Sequence, residues 1–213
     1  MPDPFVLIFQ LLVLLFSVVI HEVSHGAVAL MFGDSTARDA GRLTLNPLKH
    51  LDPFGSIILP ITLLLLTTLS GGGIIFGWAK PVPYNPYFFK NPRAGSAIVG
   101  FSGPLANLFV AAVFGFGIRF VALQGSLDAS AGILAGAFLS IVYVNLFLAF
   151  FNLIPIPPLD GSKLLFALLP DRFFNLKLFF ERYGLALFIF FIFAVAPLIG
   201  TLVRFVARIL IGT

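Results

Sequence analysis

The sequence predicts an all-α polytopic membrane protein, a single domain over residues 1–213 with four crossing helices, one re-entrant apolar segment and a small membrane-associated β-strand or hairpin. Two observations carry the class. First, 59% of the 213 residues are hydrophobic and only 10% are charged, with a mean hydropathy of +1.06. No soluble globular domain of this size normally reaches that balance. Second, five apolar runs, Phe5 to Phe32, Phe54 to Trp78, Ala94 to Leu123, Ala131 to Ile154 and Tyr183 to Val203, are long enough to approach or span a hydrocarbon core of about 30 Å. The links between them are short and leave nothing over for a soluble domain.

In chain order, the opening MPDPF lacks a basic n-region and its apolar run continues without a cleavage site, so the first segment is expected to stay as a helix. The second run contains Pro60 and the triplet Gly71, Gly72 and Gly73, which allow it to enter and return. The third holds one proline, Pro104, and joins the fourth through the plain link QGSLD, so both cross. Between the fourth and fifth, Pro170 to Arg182 interleaves phenylalanines with Arg172, Lys177 and Arg182, the pattern of a helix lying at the membrane surface. Trp78, Lys80 and Tyr84 suit interfacial anchors, and Arg119 can snorkel from near its helix end.

Ionisable residues inside a bilayer are costly and mark sites of function. The stretch IHEVSHG places His21 and His25 four apart, on one helical face, with Glu22 in the same turn. Two imidazoles so placed can reach one ion, which is the HExxH zinc arrangement. The competing reading is an accident of three polar residues satisfied against neighbouring helices. The chain holds three histidines and two glutamates, so chance alone gives the pattern in roughly one such sequence in a thousand or fewer. Catalytic zinc usually takes three protein ligands. His50 sits in the polar segment after the first run, where a solvated or interfacial histidine is expected. The better third ligand is Asp160 in FNLIPIPPLDG, because Pro155, Pro157 and Pro158 break the preceding helix and unwound backbone at membrane depth must line a cavity or be buried in protein. A helix-end aspartate in an Asp-Gly turn is the alternative there. Cysteine is absent, which excludes disulfides and thiolate ligands. A net charge of +4 without a basic, aromatic-laced stripe suits anionic headgroups and excludes a nucleic-acid partner.

HEVSH in one helix, SGPLANL at Ser102 to Leu108 in another, and NLIPIPPLDG at Asn152 to Gly161 resemble the three signature regions of the site-2 protease family, zinc metalloproteases that cut within the membrane. GRLTLNPLKHLDPFG and FGWAKPVPYNP are similar to the compact prokaryotic branch without a regulatory domain, while the long insertion between HEVSH and GPLAN departs from the pattern. The resemblance implies His21, His25 and Asp160 as ligands of one Zn2+, Glu22 as catalytic base, and Asn152 as a group holding the substrate backbone or the oxyanion. It implies a transmembrane protein or peptide as substrate, in a multi-pass protein of a prokaryotic cell membrane. A metal transporter would need a continuous polar pathway that the other helices do not supply, and a non-catalytic scaffold would be expected to have lost Glu22 or a ligand. Gly103 and Pro104 suit close packing against the first helix, and Asn107 and Asn145 suit interhelical hydrogen bonds. TARDAGRLTLNPL alternates polar and apolar residues around Arg42 to Leu45. That reads either as an edge strand able to pair with an unwound substrate or as an interfacial hairpin, and the resemblance implies a small sheet.

The ligands must meet, and this constrains topology. His25 and Asp160 both lie towards or past the C-terminal parts of their helices, so an odd number of crossings must separate those helices. Keeping Ala94 to Leu123 as a crossing makes Phe54 to Trp78 the re-entrant segment. Ten Lys and Arg then fall in loops on one side and two, Arg204 and Arg208, on the other; if every run crossed, the split would be five against seven. Because Lys and Arg concentrate on cytoplasmic loops, both termini are expected outside and the metal site nearer the cytoplasmic face.

Overall fold

A computed structural model describes residues 4–59, 61–63, 66, 79–123 and 129–212. Helix α1, Pro4–Met31, carries HEVSH in its last third. It stops at Gly33, whose φ of 96° is open to glycine at little cost. The Gly33 N–H bonds Leu30 O at 3.0 Å and the Asp34 N–H bonds Ala29 O at 3.0 Å, the paired bonds that satisfy the last carbonyls of a helix. A short α2, Thr36–Asp39, follows. Helix α3, Pro92–Leu123, and helix α4, Ala129–Asn152, are the long central pair. Helix α5, Gly161–Leu168, is short, and α6, Phe174–Ile211, is 38 residues long. Among the described residues three helical stretches are long and apolar enough to cross a membrane: Ile8–Met31, Pro92–Leu123 and Gly132–Asn152.

Helix α3 is the hub and packs against α1, α4, α5 and α6. Ala111, Val142, Leu146, Ile199, Val203 and Ala207 from α3, α4 and α6 form one buried cluster. The outward faces keep Phe109, Phe116 and Phe120 exposed, as a helix facing lipid requires. Polar bonds join α1, α3 and α4. Asn107 Nδ2 donates to Ser17 O at 3.1 Å and to Asn145 Oδ1 at 2.8 Å, and Asn145 Nδ2 donates to Ser17 Oγ at 2.9 Å.

Three expectations are corrected. No strand forms among the described residues, and Arg42 to Leu45 is irregular. Its alternation is overridden because the Arg42 side chain turns inward, is buried, and donates to Lys80 O at 3.0 Å and Pro81 O at 3.1 Å. His50 is not solvated. It is 1% exposed and its Nε2 bonds Thr44 O at 2.9 Å, because the irregular loop leaves that carbonyl in need of a donor. Finally, Pro170 to Arg182 does not form a helix of its own. After a 3-10 turn at Asp171–Phe173 it runs straight into α6, since neither proline nor a glycine pair interrupts the chain between Phe174 and Tyr183. The re-entrant segment Phe54 to Trp78 lies largely outside the described residues, apart from a π-helical start at Pro53–Ile58 and a few residues beyond it. Its two flanks are described and lie side by side: Lys80 N–H bonds His50 O at 2.9 Å, and Asn85 N–H bonds Asp34 Oδ2 at 2.6 Å.

Candidate metal centre

The centre is assembled from α1 and from the turn between α4 and α5. Pro155, Pro157 and Pro158 remove three backbone donors from Leu153 to Leu159. The chain closes on itself in tight turns instead, with Ile156 N–H on Ile154 O at 2.8 Å and Leu159 N–H on Ile156 O at 2.9 Å. Only glycine fits at the exit, because a Cβ on Gly161 would sit 2.2 Å from Leu153 O and 2.4 Å from Ile154 O. This folded-back turn carries Asp160 across to α1.

Asp160 Oδ2 lies 3.0 Å from His21 Nε2 and 3.0 Å from His25 Nε2, and the two imidazole nitrogens are 3.1 Å apart. All three side chains are buried. The other ring nitrogens are committed elsewhere. Asn145 Nδ2 donates to Ile141 O and Asn107 Nδ2 donates to Ser17 O, which turns the Asn107 carbonyl towards His21. His21 Nδ1 therefore donates to Asn107 Oδ1 at 2.7 Å, and His25 Nδ1 donates to Val99 O at 2.6 Å, with Ser102 Oγ also donating to that carbonyl. In the neutral rings both Nε2 atoms then carry lone pairs. Two lone pairs and a carboxylate oxygen converge, an arrangement that repels itself unless a proton or a metal cation joins it. Tetrahedral zinc with bonds of about 2.0–2.1 Å separates its N and O ligands by roughly 3.3 Å, so the donor set and its spacing fit that ion. Helix α3 leaves the room, since a Cβ on Gly103 would lie 2.6 Å from His21 Nε2 and 2.6 Å from His25 Nε2.

The Glu22 carboxylate takes its hydrogen bond from outside the triad. Its Oε2 accepts the Val82 N–H at 2.8 Å. Asn152 ends α4, and one of its amide hydrogens goes to Leu148 O at 2.9 Å. Two participants escaped the sequence reading. Asn107 was legible as an interhelical amide but not as the group that fixes the His21 ring. Lys163 donates to Asp160 Oδ1 at 2.8 Å, leaving Oδ2 for the histidines, and its Nζ lies 5.2 Å from the Tyr84 ring centre. The spacing of three from Asp160 into a helix was the available signal. Burial works to lower the Lys163 pKa, but the Asp160 charge and hydrogen bond, together with Tyr84 and Glu22, outweigh it and hold the ammonium above its usual value. Lys163 also lines a cavity of about 580 Å³ together with Tyr84, Arg93, Phe166 and Phe174.

Comparison with known proteins bears on this geometry. The family model described as Peptidase family M50 matches residues 120–196, which include Asn152 and Asp160. The chain is 39% identical over 184 residues to "Putative zinc metalloprotease YwhC" of Bacillus subtilis, covering 85% of this chain and 78% of the relative. It is 33% identical over 147 residues to "Putative zinc metalloprotease Rip2" of Mycolicibacterium smegmatis, covering 69% of this chain and 52% of the relative. It therefore spans about half the length of that mycobacterial protein. A third relative, "Putative zinc metalloprotease MJ0611" of Methanocaldococcus jannaschii, is 37% identical over 95 residues, 43% of this chain and 46% of its own. No solved structure matches.

Proposed function

This chain belongs to peptidase family M50, and from that premise we propose that it is an intramembrane zinc endopeptidase that hydrolyses peptide bonds of transmembrane protein or peptide substrates, in regulated intramembrane proteolysis. The observation that supports this most is the meeting of His21, His25 and Asp160 at 3.0–3.1 Å, with Glu22 on the intervening turn of the same helix. His21, His25 and Asp160 would hold one Zn2+, which would supply Lewis acidity for the scissile carbonyl and lower the pKa of the attacking water towards about 7. Glu22 takes a proton from the attacking water and passes it to the amine as the C–N bond breaks. The Asn152 amide donates to the developing oxyanion, a contact typically worth ~3 kcal/mol. The substrate helix must unwind first, because its carbonyls are otherwise committed to its own N–H groups. Cleavage of a membrane-embedded peptide by the purified protein is expected to stop when zinc is chelated and to return when zinc is restored. Chelator-resistant cleavage, or no cleavage by zinc-loaded protein of any of a panel of such peptides, would overturn this reading.

The proposal includes a topology of four crossings and one re-entrant segment, with both termini outside and the centre nearer the cytoplasmic face of a prokaryotic cell membrane. The paired flanks, His50 with Lys80 and Asp34 with Asn85, favour a second apolar run that returns to its starting side. At 38 residues α6 spans about 57 Å, ample for a fourth crossing. Single cysteines at Ser35 and Asn85, in a chain that otherwise has none, should be labelled from the same side of the membrane. Labelling from opposite sides would contradict the re-entrant segment.

A further inference from the structure

The segment Lys80 to Asn85 reads KPVPYN. Proline has no N–H, so Pro81 and Pro83 leave Val82 as the one backbone donor between Lys80 and Tyr84. That donor meets Glu22 Oε2 at 2.8 Å. The rest of the segment is fastened around it. Lys80 N–H bonds His50 O at 2.9 Å, the buried Arg42 guanidinium holds Lys80 O and Pro81 O at 3.0 and 3.1 Å, and Asn85 N–H bonds Asp34 Oδ2 at 2.6 Å. Asp34 is itself 0% exposed, so this last anchor belongs to the packed end of α1. The Val82 side chain also rests on α1, one turn beyond Glu22: a Cβ on Gly26 would come 2.9 Å from Val82 Cγ1. Two prolines with φ fixed near −65° stiffen the strap between these anchors.

A donor this firmly placed does more than satisfy a carboxylate. A free glutamate side chain samples many rotamers, and reaction demands one geometry, so fixing one oxygen removes an entropic cost from the chemical step. We propose that the Val82 backbone N–H is a positioning group for Glu22, holding Oε2 so that Oε1 is presented to the water from which Glu22 takes its proton. This rests on Glu22 being the general base. The sequence feature that encodes it is the alternation Pro81, Val82, Pro83, which removes the backbone donors on either side of Val82.

Two measurements test it. Because Pro81 and Pro83 carry no amide hydrogen, exchange within Pro81 to Pro83 reports Val82 alone. That exchange should be slow in the unaltered protein and roughly tenfold or more faster in Glu22→Ala; equal rates would show that the carboxylate does not hold the amide. In kinetics, Val82→Pro removes the donor, and kcat should fall roughly tenfold to hundredfold with KM and zinc content retained. Val82→Ala keeps the donor but loses the side-chain contact with α1, and its fall in kcat should be several-fold smaller than that of Val82→Pro. An equal fall in both variants, or no fall in Val82→Pro, would overturn the positioning role. If instead Glu22→Gln retains full activity, the base assignment fails while the exchange experiment still reports the contact.

Discussion

Glu22→Gln protein is expected to bind zinc as the parent does and to cleave roughly 10²–10⁴-fold more slowly, the usual contribution of a general base. Glutamine is close to isosteric, and its amide oxygen can still accept the Val82 N–H that Glu22 Oε2 accepts at 2.8 Å. The strap and the end of α1 therefore lose no contact. The triad is untouched as well, because Asp160 and the two histidines meet without the Glu22 carboxylate. What disappears is a group able to take a proton, since an amide is not basic at neutral pH. Initial rates on a membrane-embedded peptide, with zinc measured on the same preparations, separate the two effects. A parental rate in Glu22→Gln would assign the proton transfer to another residue.

Gly103→Ala should strip the metal although Gly103 is neither ligand nor base. Its ideal Cβ falls 2.6 Å from both Nε2 atoms and 2.7 Å from His21 Cε1, far inside any carbon–nitrogen contact. The rings cannot retreat cheaply, because Asn107 Oδ1 holds His21 and Val99 O holds His25. Nor can α3 back away. Asn107 ties it to Ser17 of α1, and Gly100 leaves only 2.8 Å between its own ideal Cβ and Lys163 Cδ. The added methyl must displace the imidazoles or occupy the space a ligated ion needs. Strain of about 1–3 kcal/mol is typical of such overpacking, and a disturbed ligand set should lower zinc affinity by at least roughly 10–100-fold. Gly136→Ala on α4 meets nothing within 4 Å and serves as the control, with zinc and activity retained. A Gly103→Ala protein with parental zinc affinity would contradict the convergence of the two histidines beneath α3.

What could be read from the sequence was what is encoded locally. Two histidines four apart need only a helix to share a face, and α1, α3 and α4 begin and end within two residues of their apolar runs, as with Ala94 to Leu123 against Pro92–Leu123, whereas α6, Phe174–Ile211, extends well past both ends of the run Tyr183 to Val203. Asp160 lies 139 residues from His21, and it was legible because three prolines announce an unwound segment where a membrane helix should not break. The family reading stands on the same motifs and agrees with the relatives found. Illegible features depend on tertiary partners. Alternation at Arg42 to Leu45 promised a strand, but the Arg42 guanidinium found two carbonyls some forty positions away and buried itself there. His50 followed the carbonyl of Thr44 into the protein for the same reason. Asn107 was visible as a membrane amide, yet the direction of its carbonyl is decided by Ser17, Ile141 and Asn145 together. Val82 acts through its backbone, which side-chain patterns do not report.

Zinc analysis of the purified chain beside its Asp160→Ala variant decides most directly whether His21, His25 and Asp160 form one metal centre. Loss of Asp160 leaves two histidines and no carboxylate, since Glu22 is held by the strap, and two ligands do not retain catalytic zinc at the affinity of three. One zinc per chain in the parent and close to none in Asp160→Ala is the expected result. Equal zinc in both proteins, or a parent that takes up no zinc, would contradict it.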